Sequence, residues 1–319
     1  MILYIDNKDV RTLVSVQDAN AVVEEGFRQW KQDGTVNMPR RRLPLPGGKV
    51  LNHMVAALPS ADAFGFKAYF SLPQGRSQLV FLYSISEGRF LCMIEARDLG
   101  QLRTGAASAV ATRYLARQDA KTVALIGTGS HGLPQLQAVS AVRSFSRGQV
   151  FSRNPENRQR FAREASAALG FEVVAAASAE AAVDGADVIV TATNGRQPVL
   201  LGQWLKPGVH INAMGANAAS QRELDDAAVL KCDRVVVDDV EQAKIESGEL
   251  IGLAQAGKIQ WESLVELGDV VRGTAPRRGS PSEITLFNSL GLALEDVAIG
   301  RMIYDRAVAQ GLGKKLDFP

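Results

Sequence analysis

The sequence predicts an α/β protein in two parts: a doubly wound parallel sheet, preceded by an α+β domain of antiparallel strands. Three observations predict it. From Lys121 onward, apolar strand-like runs alternate with helical runs, the pattern of a parallel sheet covered on both faces. Before that point, apolar runs follow one another across short connections rich in turn residues, which reads as an antiparallel sheet. A glycine-rich stretch, "TVALIGTGSHGLPQLQAV", opens the alternating part after more than a third of the chain has gone by.

The length of 319 residues is enough for two domains of ordinary size. Apolar residues make up 46%, charged residues 22%, and the net charge is +2, so nothing points to a polyanion and no nucleic-acid partner is expected. Cys92 and Cys232 lie far apart, and His53, His131 and His210 are scattered with no HExxH or CxxC pattern. Neither a disulfide framework nor a metal site is expected. The start "MILYIDNKDV" carries Asp6 and Asp9 and no long apolar run, so neither a signal peptide nor a membrane span is expected. The chain reads as cytoplasmic.

Taken in order, "SVQDANAVVEEGFRQWKQDG" sets Val22, Val23, Phe27 and Trp30 at helical spacing, with Gly34 as a stop. The strand runs "RRRLPLP", "VLNHMVAALP", "FGFKAYFSL", "QLVFLYSI" and "FLCMIEA" follow, separated by the turn signals "PGG", "PQGR" and "SEGR". Next comes a long helix in "RDLGQLRTGAASAVATRYLARQDA", with Asp98 as its N-cap and small residues that let other backbone approach. The alternating part contributes the strands "TVALIG", "GQVFSR", "FEVVAAA", "ADVIVTATN", "VHINAMG" and "DRVVVDD". The last stretch keeps Ile284, Phe287, Leu290, Leu294, Val297 and Ile303 near helical spacing and reads as one terminal helix that returns to the first domain. The expected division is 1–116 with 292–319 as the substrate-binding and dimerisation domain, and 117–291 as the nucleotide domain.

Gly127, Gly129 and Gly132 form G-x-G-x-x-G between an apolar strand and a helix. The first glycine makes the tight turn, the second admits a pyrophosphate to the backbone, and the third lets helix and sheet pack closely. The helix N-terminus then offers free N–H groups to the phosphates. This is the fingerprint of a Rossmann-type domain binding a dinucleotide, with Thr128, Ser130 and His131 completing the turn. Thr191, Ala192, Thr193 and Met214, at the carboxyl edge of later strands, are counted with the cofactor residues. About 20 residues past the third glycine an NAD site carries a carboxylate for the ribose. Ser152, Arg153 and Asn154 stand there instead, which favours NADP(H), with NAD(H) possible, because guanidinium pairs well with a 2′-phosphate. The plain alternative for Arg153 is a solvated loop residue.

Other positions able to carry chemistry are Lys67 inside the apolar strand "FGFKAYF", Arg103 in "QLRTGAAS", the run Arg40–Arg42, and Asn217 after "VHINAMGAN". A lysine in a strand ordinarily points to solvent.

Several long blocks in order make the match specific: "MPRRRLPLPGG", "FGFKAYF", "RDLGQLRTGAASAVATRYLAR", "VALIGTGSHGLPQLQAV", "INAMGANAASQRELDD", "DRVVVDDVEQAKIESGEL" and "SPSEITLFNSLGLALEDVA". Through them the chain resembles the ornithine cyclodeaminase/mu-crystallin family along nearly its whole length. The resemblance implies a two-domain homodimer whose first domain, completed by the C-terminal helix, binds the substrate and makes the dimer contact. It places the substrate lysine on Lys67 and a carboxylate-binding arginine on Arg103, followed by Thr104. A second such arginine falls on Arg40 or Arg41, and Arg41 is preferred. Two departures stand out. Asn217 occupies the position of the cyclodeaminases' catalytic aspartate, and Ala56 that of a glutamate. The implied activity is NAD(P)H-dependent reduction of cyclic imino acids, Δ1-pyrroline-2-carboxylate to L-proline and Δ1-piperideine-2-carboxylate to L-pipecolate. Lys67 and Asn217 are the catalytic candidates. Ornithine cyclodeaminase, alanine dehydrogenase and a mu-crystallin-like ligand-binding protein stand as alternatives.

Overall fold

A computed structural model describes residues 2–72 and 75–317, in two compact units. The first comprises 1–103 with 292–319, the second 104–291. The division falls between Arg103 and Thr104, inside the helix Ala96–Leu115, and not after that helix at 116.

In the first unit, seven strands among the described residues form one sheet. Its order is Lys314–Leu316, Ile2–Ile5, Phe90–Glu95, Gly75–Tyr83, Ala63–Leu72, Lys49–Leu58, Val36–Leu45. Every pairing is antiparallel except that of Ile2–Ile5 with Phe90–Glu95. The Pro73-Gln74 part of the "PQGR" turn lies outside the described residues. Alternation sends Met54, Ala56, Lys67, Val80 and Leu82 to one face, where all are buried. The helix Ala293–Gln310 packs on that face, across Lys49–Leu58, Ala63–Leu72 and Gly75–Tyr83. The helix Val16–Gln29 opens on a capping box made by Ser15 and Asp18 and ends before Gly34 is reached.

Two expectations are corrected here. Asp98 does not cap its helix, which begins at Ala96. Its backbone N–H donates to Asn7 Oδ1 at 3.0 Å, and its carboxylate pairs with Arg97 and Arg11. The terminal stretch is not one helix either. Thr285–Asn288 is a fully buried strand in the second unit's sheet, and the helix starts only at Ala293, after Gly291 at φ 79°. A four-residue buried strand has no polar face, so its apolar residues read equally well as part of a helix.

The second unit holds eight parallel strands among the described residues. Their order is Val265–Glu266, Arg234–Val237, Thr285–Asn288, His210–Ala213, Val188–Thr191, Thr122–Ile126, Arg147–Phe151, Glu172–Ala175. Neighbouring residues of one strand join different cores. Val123 and Leu125 pack on one side of the sheet with Val150, Val188 and Phe161, while Ala124 and Ile126 pack on the other with Ile189, Ile211 and Leu286. This is the doubly wound arrangement. Gly105 lies so close to the Pro134 carbonyl that a Cβ would stand 2.9 Å from it, which accounts for the glycine at that position.

Candidate active site

In the first unit the sheet buries two cations against the first turn of the C-terminal helix. Lys67 is only 3% exposed, and its Nζ donates to Asp296 Oδ1 at 2.9 Å. Arg103 donates to Glu295 Oε2 at 2.9 Å and sets its Nε 3.5 Å from the same Asp296 oxygen. Glu295 reaches back with its other oxygen to the Leu292 N–H at 3.0 Å, so one carboxylate both caps the helix and holds the arginine. Asp296 Oδ2 is buried and accepts no hydrogen bond among the described residues. The Tyr69 ring centroid lies 5.8 Å from Lys67 Nζ.

Burial pushes the Lys67 ammonium down to about 8; Asp296 holds it up, while Arg103 and Arg40 push it down. Burial also works against the Arg103 charge, yet Asp296 and Glu295 keep it above the usual guanidinium range. Burial raises the Glu295 carboxyl, with Arg103 pulling against it. The result is a lysine able to change protonation near neutral pH beside an arginine that stays charged.

Arg40, not Arg41, belongs to this cluster. Arg40 is buried with its Nε 3.4 Å from Met54 Sδ, and it acts on the charge of Lys67. Arg41 is exposed. The reason is a bulge in Val36–Leu45: pairing with the next strand shifts register between Met38 and Arg41, which turns Arg40 inward and Arg41 outward. Thr104 is buried too, and its carbonyl accepts from Gln135 Nε2 at 3.0 Å. Glu295 and Asp296 went unnoticed in the sequence. Two acids embedded in the apolar run "LGLALEDVAIG" were a usable signal, since lone surface acids rarely sit among so many apolar neighbours.

The second unit carries the glycine turn at the end of Thr122–Ile126. Gly127 has φ 110°, and a Cβ there would stand 2.4 Å from the Ala192 carbonyl. At Gly132 a Cβ would meet the Gly127 carbonyl at 3.0 Å. At Gly129 it would meet nothing within 4 Å. The outer two glycines are therefore required by the fold. The middle one borders open space, which is where the backbone of such a turn admits a diphosphate. The helix Gly132–Ser140 begins with no side-chain cap, so its positive dipole end faces the turn, although the Gly132 N–H already donates to the Gly129 carbonyl at 2.9 Å and Pro134 has no N–H. These features fit a dinucleotide.

Around the turn, Thr128 donates to Ser152 Oγ at 2.8 Å. Asn154 caps the helix Pro155–Leu169 by accepting from the Asn157 N–H at 2.9 Å. Arg153 is exposed, as are Gly129 and Ser130, while His131 and Ala192 are partly buried. Thr191, expected to touch the cofactor, is fully buried, and its hydroxyl donates to Glu223 at 2.8 Å. Thr193, Met214 and Asn217 lie at the carboxyl ends of Val188–Thr191 and His210–Ala213, partly buried. Among the described residues no group of side chains is arranged to hold a metal ion, and no helix is long and apolar enough to cross a membrane.

A sequence profile of the ornithine cyclodeaminase/mu-crystallin family matches residues 3–311. Δ1-pyrroline-2-carboxylate reductase of Bacillus cereus is 31% identical over 99% of this chain and 100% of its own length. The Δ1-pyrroline-2-carboxylate reductase of Thermococcus litoralis, solved with NADH and L-proline, superposes with TM-score 0.95 at 32% identity, covering 99% of this chain and 100% of that one. An archaeal alanine dehydrogenase dimer with bound NAD superposes with TM-score 0.92 at 31% identity, covering 99% of each chain.

Proposed function

The chain belongs to the ornithine cyclodeaminase/mu-crystallin family, and from that premise we propose that it reduces cyclic imino acids at the expense of NAD(P)H, Δ1-pyrroline-2-carboxylate first and its six-membered homologue second. The observation that carries the reading is the buried pairing of Lys67 with Asp296 beside Arg103. Arg103 and Arg40 hold the substrate carboxylate, and such charge-assisted contacts are worth ~1.5–3 kcal/mol each. Lys67, with its ammonium near 8, gives the ring nitrogen the proton that reduction requires. Bound NAD(P)H supplies the hydride. Asn217 donates a hydrogen bond and takes no proton.

That last point separates this reading from cyclodeamination. Closing a ring on ornithine needs a base for an amine with an unperturbed pKa near that of lysine, ~10.4. By the family resemblance Asn217 and Ala56 stand where the cyclodeaminases carry carboxylates. Glu295 serves Arg103 and Leu292, and Asp296 is tied to Lys67 through Oδ1, with only its Oδ2 left over. NADPH oxidation with Δ1-pyrroline-2-carboxylate tests the proposal. Robust ammonia release from L-ornithine with catalytic NAD(P)+ would overturn it.

The cofactor preference proposed is NADPH, with NADH accepted. Asn154 and Ser152 have structural duties, so the preference rests on Arg153, exposed at the end of Arg147–Phe151. Titration with both nucleotides decides it: Arg153→Ala is expected to erase the difference. A homodimer is proposed through the face of the first sheet opposite Lys67. Phe64, Phe66, Phe81, Tyr83 and Phe90 stack along that face, beside an apolar hollow lined by Val36, Met38 and Ile85.

A further inference from the structure

Glu223 is fully buried in the second unit with no part in the chemistry above. Four donors converge on its carboxylate. Oε1 accepts from the Thr193 N–H at 2.6 Å and the Thr193 hydroxyl at 2.7 Å; Oε2 accepts from the Thr191 hydroxyl at 2.8 Å and the Gly215 N–H at 2.7 Å. Its own N–H donates to Glu249 Oε1 at 2.7 Å, and its carbonyl accepts from Val199 and Leu200. The residue is pinned at every polar atom.

What it joins is specific. Thr193 follows the strand Val188–Thr191, and Gly215 follows His210–Ala213, the next strand in the sheet. The two segments touch so closely that a Cβ on Gly215 would lie 2.1 Å from the Thr193 carbonyl and 2.5 Å from Glu223 Oε1. The same segment abuts the phosphate turn, where a Cβ on Gly127 would lie 2.4 Å from the Ala192 carbonyl. In sheets of this kind the diphosphate sits at the first turn and one nucleoside spreads over the following strand end, here Arg147–Phe151 with Arg153. The other half of the dinucleotide must then spread the opposite way, over Thr193 and Gly215.

We propose that Glu223 is a positioning residue for the nicotinamide half of the cofactor, holding the two strand ends that receive it without touching the nucleotide itself. The inference rests on the dinucleotide reading of this unit but not on the imino-acid substrate. A glutamine in its place presents an N–H₂ where an acceptor is needed, and leaves either the Thr193 or the Gly215 N–H without a partner.

The test is binding alone. NADPH and NADH are titrated against the protein, together with 2′-phospho-ADP-ribose and ADP-ribose, which lack the nicotinamide. Glu223→Gln is expected to weaken both dinucleotides about tenfold, while the nicotinamide-free pair stays within about twofold of wild type. Equal weakening of all four ligands, or no change in any, would overturn the inference. If Glu223→Gln does not melt cooperatively, Thr191→Val replaces it, since that side chain is buried away from any ligand and loses one of the four donors. It is expected to show the same selectivity at about threefold; dinucleotide affinity equal to wild type would overturn the inference. A wild-type protein that binds none of the four would overturn both this inference and the proposed function.

Discussion

At the level of single residues, the charge of Lys67 is the controlling quantity. If its proton is the one delivered, kcat/KM for imine reduction is flat below pH 8 and falls as pH rises through about 8, where the ammonium is lost. Asp296 raises that value both by its charge and by its hydrogen bond, so Asp296→Asn is expected to move the fall to lower pH. An unmoved inflection would mean that the profile reports another group. Arg103→Ala should lower kcat/KM by about 10–100-fold through loss of the carboxylate contact. It should also lower stability by about 3–5 kcal/mol, because Glu295 loses its buried partner while Asp296 keeps only Lys67. Turnover and thermal melts measure the two effects separately. Lys67 and Arg103 stand out in the sequence through the blocks that carry the family resemblance, and the structure buries both in one cluster. The choice between Arg40 and Arg41 was not legible, since the bulge that decides which one is buried leaves no mark in the residue types. The apolar run around Glu295 and Asp296 hints at their burial, but their partners lie 192 and 229 residues away, and no local pattern names them.

At the level of elements, the three glycines of one turn serve different ends. Gly127→Ala forces a side chain against the Ala192 carbonyl at φ 110°, and is expected to cost about 1–3 kcal/mol of stability. Gly129→Ala meets open space and should melt like wild type, yet lose nucleotide affinity because the methyl occupies the diphosphate's place. Melting curves paired with nucleotide titrations separate the two; a Gly129→Ala protein that binds normally would refute the reading of the turn. The alternation of strands and helices that announced this unit was plain in the sequence, because short apolar strands recur there between helical runs. The strand Thr285–Asn288 was hidden, since its neighbours in the sheet, Arg234–Val237 and His210–Ala213, lie far back in the chain. Tertiary pairing, not local pattern, makes it a strand.

At the level of the whole molecule, exposed apolar side chains argue for a partner. Val36 and Met38 are 51% and 47% exposed on the sheet face that carries the aromatic stack. Met38→Glu is expected to convert a dimer to a monomer in light scattering, and a wild-type protein showing only a 34.3 kDa species would exclude the dimer. The chain's course has a further consequence. The second unit is one continuous segment, 104–291, whereas the first is assembled from both ends, with Lys314–Leu316 pairing on Ile2–Ile5. On a ribosome the second unit can therefore finish folding while the first still waits for its helix. At usual elongation rates the 192 residues between Arg103 and Glu295 take roughly 10–40 seconds to make. Throughout that interval the nascent chain holds two cations destined for burial with no carboxylate to meet them. The unit that holds Lys67 and Arg103 is thus completed last, and a chain that stopped short of Glu295 would keep the glycine-turn unit without the carboxylates that meet both cations.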